Sequence, residues 1–134
     1  MIETATTFEQ VLEAAPLYDE APREDAVRRF LDEPGHHLLL AREDGRVVGF
    51  VSGVETTHPD KGTEMFLYEL AVDPAAQRRG HGRALAAALA DLARERGCYG
   101  MYVLTDDDNA AALATYTSAG GGPPEPAVML TWTF

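Results

Sequence analysis

Between Glu64 and Leu85 the sequence reads EMFLYELAVDPAAQRRGHGRAL, and this stretch limits the fold more than any other. Met65 to Val72 is an apolar, β-prone run, the pattern of a buried strand. Asp73-Pro74 stops it, and Gln77-Arg78-Arg79-Gly80-His81-Gly82 then leads into a long Ala/Leu pattern of helical period. A glycine-rich loop therefore joins the end of a strand to the start of a helix. The first amides of a helix lack intrahelical partners, and the helix dipole adds partial positive charge there. Glycine lets a ligand approach the backbone without a Cβ in the way, so this junction suits a phosphate group. Arg78, Arg79 and Arg83 add full charges beside it, in a chain that is otherwise acidic. The loop has no G-x-x-x-x-G-K-[ST]. Its glycines do not read G-x-G-x-x-G either, and no acidic residue about twenty positions on ends a second strand.

The rest of the chain supplies elements around this junction. Met1 to Thr6 is a weak first strand. Phe8, Val11, Leu12 and Ala15 sit at helical spacing, so Thr7 to Leu17 reads as an amphipathic helix capped by Thr6 or Thr7. Pro16 and Pro22 bracket a loop, Leu17 to Ala21, and Pro22 suits the first turn of a second helix that Pro34-Gly35 ends. His37 to Arg42 and Val47 to Glu55 form a hairpin around Asp44-Gly45. Gly49 and Gly53 in the return strand suggest a bulge or close packing. Thr56 to Thr63 reads as a loop. After the strand and loop already described, a helix runs from about His81 to Arg96, with Gly97 as its stop. Tyr99 to Thr105 is a further strand, Ala110 to Ala119 a short helix, and Ala127 to Phe134 a last strand. The strand–loop–helix–strand core implies a right-handed parallel crossover. The whole is an α/β (α+β) chain with a mixed, mostly antiparallel sheet and helices on both faces, in one domain spanning 1–134.

Composition narrows the partners. A net charge of −11 argues against nucleic acid or an anionic membrane, and is compatible with a cationic substrate. No apolar run is long enough to span a bilayer, and the polar, acidic N-terminus does not read as a signal peptide. A lone cysteine, Cys98, fits a reducing cytoplasm. No Cys/His cluster has zinc spacing, so no metal is expected, and His36, His37, His58 and His81 show no ligand spacing.

Gln77, Gly80 and Gly82 after the Leu70-Ala71-Val72 strand end resemble the acetyl-CoA loop of the GNAT acetyltransferase superfamily, Q/R-x-x-G-x-G/A. Asn109 to Gly120, NAAALATYTSAG, resembles that superfamily's N-x-x-A-x-x-x-Y-x-x-x-G helix, with Ala112 and Tyr116 at the matching places. The resemblance implies two central strands that splay apart and an acyl carrier, acetyl-CoA, lying in the gap. It implies that the main chain of Leu70, Ala71 and Val72 pairs with the pantetheine arm. The segment Gln77, Arg78, Arg79, Gly80, His81, Gly82 and Arg83 would hold the pyrophosphate. Asn109, with Ala112 on the same helix, would contact the pantetheine amide. Tyr116 would protonate the departing thiolate.

An acceptor amine is mostly ammonium at neutral pH and must lose a proton before it attacks. Glu69 is the candidate base, because a carboxylate amid Phe66-Leu67-Tyr68 and Leu70-Ala71-Val72 is costly unless it has a task or faces water. Simple alternation puts it on the face of Leu67 and Ala71. Tyr18, Asp19 and Glu20 in the first interhelical loop, and Asp106 and Asp107 after a strand end, are candidate substrate contacts. Direct transfer in a ternary complex is expected, without an acetyl-cysteine at Cys98.

From about Pro34 onward the chain resembles most closely the aminoglycoside 3-N-acetyltransferase I branch, through Phe66 to Val72, Gln77 to Gly80, Tyr102 to Asp107 and Ala114 to Thr117. That implies a polycationic aminoglycoside as acceptor. An acetyltransferase of a protein N-terminus, a polyamine or another small amine, or a non-catalytic acetyl-CoA-binding module, are the alternatives. Dimers are common in the superfamily, and Val128 to Phe134 is a strand able to pair across one.

Overall fold

The computed structural model describes residues 1–134. In chain order it contains β1 (Ile2–Thr4), α1 (Phe8–Glu13), α2 (Glu24–Asp32), β2 (His36–Glu43), β3 (Arg46–His58), β4 (Gly62–Val72), α3 (His81–Glu95), β5 (Met101–Val103) and α4 (Ala110–Ser118). The strands form one sheet in the order β1-β2-β3-β4-β5. The first four pair antiparallel, and only β5 lies parallel to its neighbour β4.

Alternation along β2 divides the interior. Leu39 and Ala41 pack with Val48, Val51, Met65, Leu67, Leu85, Ala86 and Leu89 beneath α3. Leu38 and Leu40 pack with Val47, Phe50, Val11 and Val27 beneath α1 and α2. The sheet is thus covered on both faces, as the amphipathic patterns require. Gly53 is a close-packing site: a Cβ there would stand 2.8 Å from Leu89 Cδ1 and 2.9 Å from Met65 Sδ.

Several expected boundaries move for identifiable reasons. Thr7 caps α1 through a capping box with Gln10, but the helix stops at Glu13 and Ala15–Leu17 is a separate 3₁₀ turn, because Pro16 cannot continue the ladder. The segment 56–63 is not a loop. Thr56 to His58 and Gly62 to Glu64 extend the β3–β4 hairpin, with the Thr57 and Thr63 hydroxyls 2.9 Å apart; threonine is a strand former, and its polarity only marks the exposed end. The strand expected at Ala127 to Phe134 does not join the sheet. Residues 121–134 have no ladder partner, and Val128, Met129, Leu130, Trp132 and Phe134 are all highly exposed. No helix is long and apolar enough to cross a membrane.

Two features of β4 position the site. It pairs with β5 only from Met65 to Leu67, so Tyr68 to Val72 continue with no partner on that side. On the other side its register against β3 shifts: Gly53 faces Leu67, and Ser52 faces Glu69. Tyr68 is therefore an extra residue, a β-bulge.

Candidate active site

The bulge re-aims the side chains of β4. Met65 and Leu67 pack beneath α3, and so do Leu70 and Val72 further along. A regular strand would place residues 67 and 70 on opposite faces. The extra residue takes up the difference and leaves Tyr68 and Glu69, adjacent in sequence, together on the α1–α2 side. Both line a cleft of about 550 Å³ there, with Tyr18, Asp19, Glu20, Ala21, Arg23 and Ala26. Glu69 hence shares a face with Ala71 but not with Leu67; simple alternation fails at the bulge. Gly53, opposite it, is the one sequence sign of the irregularity.

Glu69 is half-buried, and its amide donates to Ser52 Oγ at 3.2 Å. Its carboxylate makes no hydrogen bond or ion pair with the protein. Burial, and then the nearby charge of Asp19, push its pKa above the ordinary value. A carboxylate so placed is a stronger base than one in water. Tyr18 closes the cleft floor. Its hydroxyl donates to the Val11 carbonyl at 2.7 Å and its ring meets Phe50 edge-on at 5.0 Å. Burial, followed by the charge of Glu69, pushes it up to about 12, so it stays neutral and structural. Asp19 and Glu20 reach the cleft as expected. Asp106 and Asp107 are exposed and do not line it. Tyr68, Arg23 and Ser52 are not among the candidates read from the sequence, where none of them stands in a motif that assigns it a contact.

The phosphate-type junction is built as the sequence implies. Gly80 precedes α3 in the left-handed region, φ 85°, where a Cβ would be penalised and glycine is not. Arg78 also has positive φ, 63°. Ala84 N–H donates to the Gly80 carbonyl at 3.0 Å, so the amides of His81, Gly82 and Arg83 precede the helical ladder. Gln77 Nε2 donates to the Val72 carbonyl at 3.3 Å, tying the loop to the strand end. Arg78 and Arg83 have no acidic partner. Arg79 pairs with Glu43 at 2.8 Å. His81 Nε2 lies 3.0 Å from the same carboxylate, without the alignment of a full hydrogen bond. His81, and then Arg79, hold the Glu43 carboxyl below its ordinary range.

Helix α4 completes the site on the α3 side of the sheet. A Cβ on Gly82 would stand 3.2 Å from Thr115 Cγ2, so the two helices cross closely at the cradle. Asn109 caps α4, its Oδ1 accepting from Ala112 N–H at 3.1 Å, which leaves its amide NH₂ free. Tyr116 packs against the α3-side core, and its hydroxyl makes no hydrogen bond with the protein. Burial raises its pKa, so it remains a proton donor at neutral pH.

An open strand edge leading to a left-handed cradle of free amides fits an extended acyl carrier that ends in phosphate, and an acidic cleft faces it across the bulge. The chain belongs to the acetyltransferase (GNAT) family, whose model matches residues 4–120. It is 39% identical over 120 residues to a mycothiol acetyltransferase of Amycolatopsis mediterranei, covering 87% of this chain and 39% of that protein. It is 40% identical over 95 residues to the N-alpha-acetyltransferase RimI of Mycobacterium tuberculosis, covering 71% of this chain and 58% of the relative. The chain thus spans less than two thirds of either relative's length. Among solved structures, an aminoglycoside acetyltransferase from a soil metagenomic sample, in complex with sisomicin, aligns with TM-score 0.91 at 20% identity, over 100% of this chain and 95% of that one. Aminoglycoside N-acetyltransferase AAC(6')-Iy with a CoA-containing bisubstrate analogue aligns with TM-score 0.85 at 19% identity, over 99% and 97%. These likenesses fix the fold and the family. They do not single out the 3-N branch that the sequence resembles.

Proposed function

We propose that this chain is an acetyl-CoA-dependent N-acetyltransferase acting on a small, cationic primary amine, with an aminoglycoside as the favoured acceptor. The observation that carries the reading is the bulge at Tyr68, which sets an aromatic ring and an unpaired carboxylate side by side in the acidic cleft. An ammonium group is held there by the charges of Asp19, Glu20 and Glu69 and by the Tyr68 ring.

The residues present fit the donor. The free edge of β4 from Tyr68 to Val72 accepts an extended arm, and the amides after Gly80, with Arg78 and Arg83, accept phosphate oxygens. Bound there, acetyl-CoA supplies an activated thioester carbonyl. Glu69 takes the proton from the bound ammonium, directly or through a water, and frees the amine to attack. Tyr116 donates its phenolic proton to the sulfur as the C–S bond breaks. Asn109 orients the arm with its free amide. Holding both reactants across one strand supplies much of the rate gain as proximity.

Aminoglycosides carry several ammonium groups, which suits a cleft with three carboxylates, and the solved neighbours named for such antibiotics share the fold. The sequence resemblance assigns the 3-N position. A second reading rests on the greater identity to the mycothiol acetyltransferase and RimI relatives: the acceptor is then another small amine or a protein N-terminus. The test is thiol release from acetyl-CoA with gentamicin-type and kanamycin-type aminoglycosides, spermidine and short peptides, with the product's acetylated position read by NMR. Turnover with one aminoglycoside class alone supports the reading. Turnover with peptides alone replaces it by the second.

A further inference from the structure

The loop that carries the cradle has little support of its own. The amides of Gln77, Arg78, Arg79 and Gly80 make no well-formed backbone hydrogen bond, and Gly80 offers α3 no side-chain cap. Arg78 and Gly80 both hold positive φ. Gln77 ties the loop to the end of β4 through its side chain. A segment of this kind keeps one conformation only where its surroundings impose it.

The turn between β2 and β3 grips the loop at both ends. Where the loop begins, Arg46 Nη1 donates to Asp73 Oδ2 at 2.7 Å, and the other oxygen of that carboxylate accepts from the Ala75 amide at 2.9 Å. Where the loop enters α3, Glu43 accepts from Arg79 Nη1 at 2.8 Å and lies 3.0 Å from His81 Nε2. Glu43 and Arg46 face each other across Asp44-Gly45. The two turn residues have φ of 49° and 78°, the tight form that matches the twist of the strands. Arg42 braces the turn from behind. Its guanidinium donates to the Gly45 carbonyl at 3.0 Å, to Glu13 at 2.7 and 2.9 Å and to Glu3 at 2.6 Å, and its side chain is only 14% exposed. The transfer chemistry has no use for a carboxylate at Glu43, because beside a phosphate site it opposes the anion. What it grips accounts for its place.

On the reading of the Gly80 cradle as the donor's phosphate site, we propose that Glu43 and Arg46 are positioning residues for the acyl donor: the β2–β3 turn clamps residues 73–81 at both ends and so presets the amides of His81, Gly82 and Arg83 for a pyrophosphate. Each ion pair is partly exposed, and a pair of that kind favours its geometry by a factor of about two to five. Donor affinity scales with the fraction of chains whose cradle is already formed, so it falls by that factor when a clamp is lost.

Isothermal titration of CoA into the parent chain, Glu43→Gln and Arg46→Gln tests this, with hydrogen exchange of the ligand-free chains measured in parallel. The two substitutions remove charges of opposite sign. A field acting on phosphate through space would tighten CoA in Glu43→Gln and weaken it in Arg46→Gln. A clamp weakens both, so the Kd for CoA should rise about twofold to fivefold in each. The peptide covering residues 74–83 should exchange faster in each. Arg46→Lys keeps a cation for Asp73 and should recover most of the parent's affinity. In thiol release the KM for acetyl-CoA should rise with the Kd while kcat and the acceptor KM hold. Asp91→Asn breaks a surface ion pair toward the far end of α3, with Arg94 Nη1 at 2.7 Å, and should change neither CoA binding nor exchange at 74–83. Shifts of Kd in opposite directions overturn the clamp. So does a Kd that stays at the parent's value in either variant, or weaker binding with unchanged exchange at 74–83. A parent chain that binds no CoA overturns the phosphate-site reading as well.

Discussion

Gly80 and Gly97 sit at opposite ends of α3 with φ of 85° and 81°, and a Cβ on either would meet nothing within 4 Å. Substituting alanine therefore adds the same physical insult at each: a left-handed conformation that an L-residue adopts at a cost of about 1–2 kcal/mol. For a chain of this length that is a fall of several degrees in Tm. The two variants should lose similar stability in thermal or urea unfolding. They should differ in function, because only Gly80 aims the amides of His81 to Arg83. If Gly80→Ala relieves strain by rotating that turn and weakens one charge-assisted hydrogen bond to phosphate, about 1.5–3 kcal/mol is lost. The KM for acetyl-CoA then rises by about tenfold to a hundredfold, with kcat little changed. Gly97→Ala should leave KM as it is. Steady-state thiol release on the matched pair reads both numbers. If both variants show equal destabilisation and an unchanged KM, the assignment of the Gly80 turn as the phosphate cradle is refuted.

Glu69→Gln should lower kcat/KM by about a hundredfold or more and remove the acid limb of its pH profile. The same substitution should stabilise the chain at neutral pH. Burial raises the Glu69 pKa in the folded state, so the folded chain holds more protons than the unfolded one between the ordinary value, 4.5, and the raised one. Stability is therefore lost as pH rises through that window, and Gln escapes the loss; Tm of the variant and the parent should converge below the ordinary value and separate above it. Tyr116→Phe should lower kcat by about a hundredfold while the acetyl-CoA KM stays put, a split measurable in the same assay. Phe50→Ala removes one of the largest fully buried side chains, 2% exposed, and should cost about 3–5 kcal/mol in chemical unfolding.

The parts of the molecule that depend on local pattern were legible in the sequence. The Thr7 cap, the Asp44-Gly45 hairpin, the strand–Gly80–helix junction and α4 with Asn109 at its head all follow from turn chemistry and periodicity. What escaped depends on pairing across the sheet. Gly53 signals a bulge or close packing in β3, but alternation alone cannot show that the extra residue is Tyr68, because that is set by the register between β3 and β4. The hairpin extension through Thr57 and Thr63 and the absence of Ala127 to Phe134 from the sheet are of the same kind: β-propensity names a strand former without naming its partner. The acid cluster at Asp106-Asp107 looked equal to Asp19-Glu20 in one dimension and lies apart from the cleft in three.

The bulge in β4 has a consequence for how the acceptor site can vary. Met65, Leu67, Leu70 and Val72 keep their packing beneath α3 on either side of it, and Tyr68, 61% exposed, touches neither hydrophobic layer, its ring meeting only Phe66 edge-on. Residue 68 can change size or polarity without repacking either hydrophobic layer. On the proposed function, a lineage carrying this irregular strand is free to drift at residue 68 in the acceptors it admits, while the residues of the same strand that pack beneath α3 stay fixed.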